Sequence, residues 1–142
     1  MDGLTMDQSM EYPRGIVRNA MRVQVAWAIL SATWNAVGVA MIAQGGRSPG
    51  PTASIVAAIV LFVTAIAYPM TIRRWPVVYL LVSLVGGLAA ISAVVNAFTA
   101  DPKLWPSEFW RYAGVVLNGV GFFAALVGTV PVARNRWSRH QG

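Results

Sequence analysis

Residues 53–98 read ASIVAAIVLFVTAIAYPMTI, then RRW, then PVVYLLVSLVGGLAAISAVVNAF. Two uncharged apolar runs, each long enough to cross a bilayer, are separated only by Arg73, Arg74 and Trp75. A hydrocarbon core about 30 Å thick takes ~20 helical residues to cross. A backbone inside that core must satisfy its own hydrogen bonds, which a helix does and an isolated strand does not. Each run therefore reads as one membrane span, and the two arginines force the chain to turn at the interface, so the spans are antiparallel.

The same reading extends in both directions. Val23 to Ala43 is a third uncharged apolar run, and Phe109 to Ala133 is a fourth, interrupted only by Arg111. The expected fold is all-α: an integral membrane four-helix bundle, antiparallel and up-down-up-down, with spans at about 23–43, 53–72, 76–98 and 109–133. Together these make a transmembrane domain over 23–133. Residues 1–22 form a cytoplasmic tail ending in interfacial basic residues, and 134–142 form a second basic tail. The connection Gln44 to Pro51 is too rich in Gly and Pro for helix. The connection Thr99 to Ser107 carries Asp101-Pro102 and Trp105-Pro106 as turn signals, with Ser107 placed to cap the fourth helix. The first run exceeds the usual 7 to 15 apolar residues of a secretory signal, so it reads as a span.

Composition agrees with lipid as the solvent. The chain has 142 residues, 56% hydrophobic and only 11% charged, against roughly 25% charged in ordinary soluble domains. It has no cysteine, which excludes disulfides, thiolate metal sites and cysteine nucleophiles. The net charge of +6 lies in short clusters flanking apolar runs, so anionic lipid is the expected counterpart and nucleic acid is not.

Those clusters set the orientation. Arg14, Arg18, Arg22, Arg73, Arg74, Arg134, Arg136 and Arg139 fall at one end of the bundle, and only Arg47, Lys103 and Arg111 at the other. The positive-inside rule puts both termini in the cytoplasm. Trp75 and Trp137 are expected at the inner interface, and Trp105 and Trp110 at the outer one. Arginine outnumbers lysine ten to one, which with abundant Ala and Gly points to a GC-rich bacterial genome and hence to the bacterial inner membrane.

Helices in lipid associate through close packing, so small residues mark the interior. Gly114, Asn118, Gly121, Ala125 and Gly128 recur at spacings of four and three, as do Gln24, Ala28, Ser31, Asn35 and Gly38. The third helix offers Ser83, Gly86, Gly87 and Ala90, and the second Ala58, Ala65 and Tyr68. Helices one, three and four are expected to pack closest. By helical rise, Asn35 and Asn118 lie at similar depth, roughly 12 to 14 Å from the outer end, and are expected to face one another; Asn96 lies nearer the surface. A duplicated helical hairpin is a further expectation. Asn35-Ala36 recurs as Asn96-Ala97, and Pro69 with Arg74-Trp75 recurs as Pro131 with Arg136-Trp137.

No catalytic, metal-binding or cofactor motif stands out, and no cofactor is expected. The only histidine, His140, lies in the tail. The small multidrug transporters match in size and span count, but they depend on a glutamate within the first helix that this chain lacks. Three candidate sites remain: a polar layer of Asn35, Asn96 and Asn118; an outer interfacial group of Glu108, Trp110, Arg111 and Tyr112; and an anionic-lipid contact at Arg14, Arg18 and Arg22. The leading expectation is a non-catalytic accessory or scaffold subunit acting through helix contacts, in a homo-oligomer or larger membrane complex. The alternative is a transporter or channel for a small solute, using the asparagine layer. A lipid-acting enzyme built on Glu108 or Asp101 lacks a second catalytic group at fixed spacing.

Overall fold

The computed structural model describes residues 14–138 as four long helices: α1 (Arg14–Ala43), α2 (Ile55–Arg74), α3 (Pro76–Thr99) and α4 (Glu108–Ser138), with a short 3-10 turn at Pro102–Leu104. All four are long and apolar enough to span a membrane. α1 begins at Arg14, nine residues before the expected span, because nothing between Arg14 and Arg22 breaks a helix. Arg18 and Arg22 are exposed on this extension. The side chain of Arg14, the tail before it and His140 lie outside the described residues.

Local chemistry explains each turn. α1 stops where Gly45 takes φ +78°, with the Gly46 N–H bonded to the Met41 carbonyl at 2.8 Å and the Gly45 N–H to that of Ile42 at 3.0 Å. This paired closure depends on a residue that tolerates positive φ. Ser54 caps α2, its Oγ accepting from the Ala57 N–H. Trp75 alone separates α2 from α3, whose first turn begins with Pro76, where the missing N–H costs nothing. Asp101 caps the 3-10 turn by accepting from the Lys103 N–H. Ahead of α4, Ser107 contributes its backbone carbonyl, which accepts from the Arg111 N–H, and its hydroxyl makes no capping bond.

The helices form a ring in which each packs on its two neighbours. α1 packs on α2 and α4, and α3 on α4, much more closely than α2 packs on α3. α1 and α3 therefore face each other across a diagonal, and the closest group is not helices one, three and four. The first connection packs tightly on α1 at Gly38, where a Cβ would come within 2.6 Å of both Ala53 Cβ and Ser48 Oγ. Outward-facing positions are large and apolar, with Val56, Phe62, Val85, Leu88, Val116 and Phe123 all exposed, as a lipid-facing surface requires.

The interior differs along its length. Near the end that carries both termini it is tightly filled: Gln24, Tyr68, Tyr79 and Ser83 have no exposed surface. Tyr79 donates to Gln24 Oε1 at 2.8 Å, and Gln24 Nε2 donates to Ser83 Oγ at 3.0 Å, which bridges α1 and α3 across the ring. Tyr68 and Tyr79 meet edge to face at 6.1 Å. Gly128 makes room for this group, since a Cβ there would overlap the Tyr79 hydroxyl.

Candidate functional site

Above the tyrosine layer lies Trp27, 4% exposed, its indole held between glycines of two helices. A Cβ at Gly121 on α4 would lie 2.5 Å from its Cδ1, and one at Gly86 on α3 would lie 3.4 Å from its Cζ3. Flat packing of this kind is possible only where the facing backbone carries no side chain.

On the other side of Trp27 the bundle opens into a cavity of about 230 Å³. Its walls carry Ser31, Trp34 and Asn35 from α1, Ala93 and Asn96 from α3, and Gly114, Leu117 and Asn118 from α4. Its rim is made by Gly50, Pro51 and Thr52 of the first connection, together with Trp105 and Arg111. The first connection folds inward, burying Ser48, Pro49 and Gly50. It is tied to the third connection by a 2.8 Å hydrogen bond from Arg47 to the Lys103 carbonyl.

All three asparagines of the sequence-derived polar layer line this one cavity. Asn35 and Asn118 do not bond to each other. Asn35 donates to the Ser31 carbonyl at 2.9 Å and accepts from the Ser54 N–H at 3.2 Å, so it also anchors the start of α2. Asn118 donates to the Gly114 carbonyl one turn back. The Asn96 side chain is exposed and makes no hydrogen bond among the described residues.

The interfacial group is assembled around Arg111. Its guanidinium pairs with Glu108 at 2.7 Å, donates to the Tyr112 hydroxyl at 3.3 Å and lies 5.1 Å from the centre of the Tyr112 ring. The Arg111 side chain is only 15% exposed against 62% for Glu108. Its ion pair and ring contact hold it against the bundle, on the cavity wall. Trp110 meets Trp34 edge to face at 5.4 Å, which closes the α1–α4 side of the cavity. Trp105, expected at the interface, is buried at 6% exposure. Asp101 and Glu108 are engaged as a turn cap and an ion-pair partner.

Three buried side-chain polar atoms among the described residues have no hydrogen-bond partner: Trp27 Nε1, Ser31 Oγ and Arg111 Nε. All three belong to residues that line this cavity. Two can only donate, and the third can donate or accept. Nearly all buried polar groups in folded proteins are paired, so these three atoms mark the cavity wall as its least satisfied part, with Trp27 Nε1 itself turned toward the backbone at Gly121. Sequence reasoning could not find Trp27 as a site residue, because its placement comes from packing against Gly121 and Gly86, far away in the chain. Among the described residues no cluster of His, Cys, Asp or Glu could hold a metal ion.

No family model, curated protein or solved structure matches the chain.

Proposed function

We propose that this membrane protein binds a small, oxygen-rich solute in the cavity between Trp27 and the Gly50–Thr52 rim, and carries it across the bacterial inner membrane. The observation that supports the reading is the meeting of Asn35, Asn96, Asn118 and Arg111 on the walls of one cavity. Three amides and a guanidinium offer donors in excess, so the matching ligand presents carbonyl, carboxylate, sulfonate or phosphate oxygens. The Gln24–Tyr79–Ser83 bridge and the tyrosine layer seal the opposite end. Hydrogen bonds between side chains on different helices can break and re-form, which fits a carrier that opens alternately better than a permanently open channel. With both termini in the cytoplasm, as the arginine distribution favours, the cavity faces outward.

The test uses the absence of native cysteine. Asn118→Cys is made in the full chain and treated with methanethiosulfonates bearing either a sulfonate or a trimethylammonium group. The ratio of the two rates is compared with that at exposed Ser107→Cys. The reading expects the sulfonate to be favoured at least fivefold more at position 118, and Arg111→Gln to reduce that preference. Equal ratios at the two positions, or no reaction at position 118 with either reagent, would overturn it.

A second reading, an accessory subunit that works in a complex or homo-oligomer, is favoured by a separate observation. An open apolar groove of about 500 Å³ runs between α1 and α4, lined by Ile16, Ala20, Val23, Val120, Phe123 and Val127. A partner helix seated there would give a particle of larger, stoichiometric mass on extraction in mild detergent. A monomeric particle would remove that reading.

A further inference from the structure

A second cavity adjoins the polar one. It lies between α2 and α3, which pack more loosely than any other neighbouring pair although a single residue joins them. About 290 Å³ in volume, it is bounded by Val60 and Thr64 of α2 and by Leu81, Val82, Val85 and Gly86 of α3. Val60, Leu81 and Val85 are exposed on the outer face of the bundle, so this crevice reaches the lipid-facing surface. Its inner wall is Trp27, Leu61 and Ala89, and the same three residues also line the polar cavity. Ala89 is itself exposed and has only a methyl group with which to divide the two spaces. Two compartments of opposite character therefore share one thin wall: one is lined by Asn35, Asn96, Asn118 and Arg111, and the other is apolar and open to lipid.

A purely polar solute would leave the crevice unused, and a purely apolar one would strip water from the Asn35 and Asn118 amides and the Arg111 guanidinium at a cost in free energy. We infer that the ligand is a single-chain membrane amphiphile, its oxygen-bearing head held in the cavity of Asn35, Asn118 and Arg111 and its hydrocarbon chain lying between α2 and α3. The inference rests on the proposed solute site and names the class of solute. The amphiphile enters sideways from the bilayer, because the gap between α2 and α3 admits the chain without removing it from an apolar surrounding. Thr64 is the one hydroxyl on the crevice wall, and elsewhere the chain meets only aliphatic or aromatic carbon and the backbone at Gly86.

The probe is a long-chain fatty acid carrying a diazirine at mid-chain, photolysed with the full-length protein in phospholipid nanodiscs, with adducts located by peptide mass spectrometry. Adducts are expected at Leu61, Val82 and Ala89. Ala89→Trp, which fills the shared wall from an exposed position, is expected to lower their yield at least fivefold, as is Arg111→Gln through loss of the head contact. An excess of unlabelled dodecyl phosphate is expected to compete. Adducts confined to outward positions such as Phe62 and Leu88, unchanged by Ala89→Trp, overturn the inference. In that event the sulfonate preference at Asn118→Cys separates the two failures: if it persists, only the amphiphile is lost, and if it is absent, the polar site is lost as well. Since Ala89→Trp could also disturb folding, Val85→Trp at the crevice mouth is the second variant, with the same expected loss.

Discussion

Replacing Gly121 with alanine tests whether Trp27 is fixed as a rigid floor. The added methyl would lie 2.5 Å from Cδ1 and 2.6 Å from Cε2 of the indole, and nearer still to Nε1, whereas carbon atoms pack comfortably at about 3.5–4.0 Å. The ring must retreat by about 1 Å, yet its far edge already faces Gly86, where a Cβ would sit 3.4 Å from Cζ3. Overpacking of this sort costs about 1–3 kcal/mol. The gain in helix propensity from glycine to alanine offsets about 1 kcal/mol. The expected net loss is thus up to about 2 kcal/mol, at most roughly a 30-fold fall in the folded-to-unfolded ratio. Gly119, two residues away, has nothing within 4 Å of its added Cβ, so Gly119→Ala is the matched control and is expected to be neutral or stabilising. Reversible unfolding in mixed detergent micelles, followed by tryptophan fluorescence, gives both values. Equal stability of the two variants would refute the argument, since the helix is the same and only the facing side chain differs.

A double-mutant cycle of Tyr79→Phe and Gln24→Met is expected to show a coupling of about 0.6 kcal/mol, and no more than about 1.7, the range for hydrogen bonds between membrane helices; the same unfolding assay reads it. Asn35→Ala removes the acceptor of the Ser54 N–H and is expected to cost about 1 kcal/mol. Asn118→Ala, whose amide bonds only within its own helix, is expected to change stability by less than about 0.5 kcal/mol. Gly45→Ala forces a side chain into positive φ and is expected to lose about 1–2 kcal/mol, although nothing stands within 4 Å. Gly15→Ala, equally open but in regular helix, is expected to be harmless by circular dichroism melting.

The architecture was legible because membrane spans are written in uninterrupted apolar length, which Arg73-Arg74-Trp75 divides cleanly, and because small residues mark helix contacts. Ala58, Ala65 and Tyr68 on α2 and Gly121, Ala125 and Gly128 on α4 are all buried. Depth counting along α1 and α4 brought Asn35 and Asn118 to one level, and they share a cavity. Other features depended on tertiary geometry. Two residues as alike as Gly121 and Gly119 have opposite surroundings, and only the position of Trp27 distinguishes them. The looseness of α2 against α3 has no sequence signature, since a one-residue turn suggests close packing. The placement of Arg111 against the bundle depends on its pairing with Glu108 and Tyr112, through rotamers that sequence spacing permits without requiring.

A cavity wet from the loop end and sealed beyond Trp27 is tested most directly by single cysteines at positions 118, 96 and 83, exposed in reconstituted vesicles to a membrane-impermeant maleimide from each side in turn. Asn118→Cys and Asn96→Cys are expected to react only from the side of the Gly50–Thr52 connection, and Ser83→Cys from neither. Reaction of Ser83→Cys at the rate of the other two, or silence at both cavity positions, would contradict it.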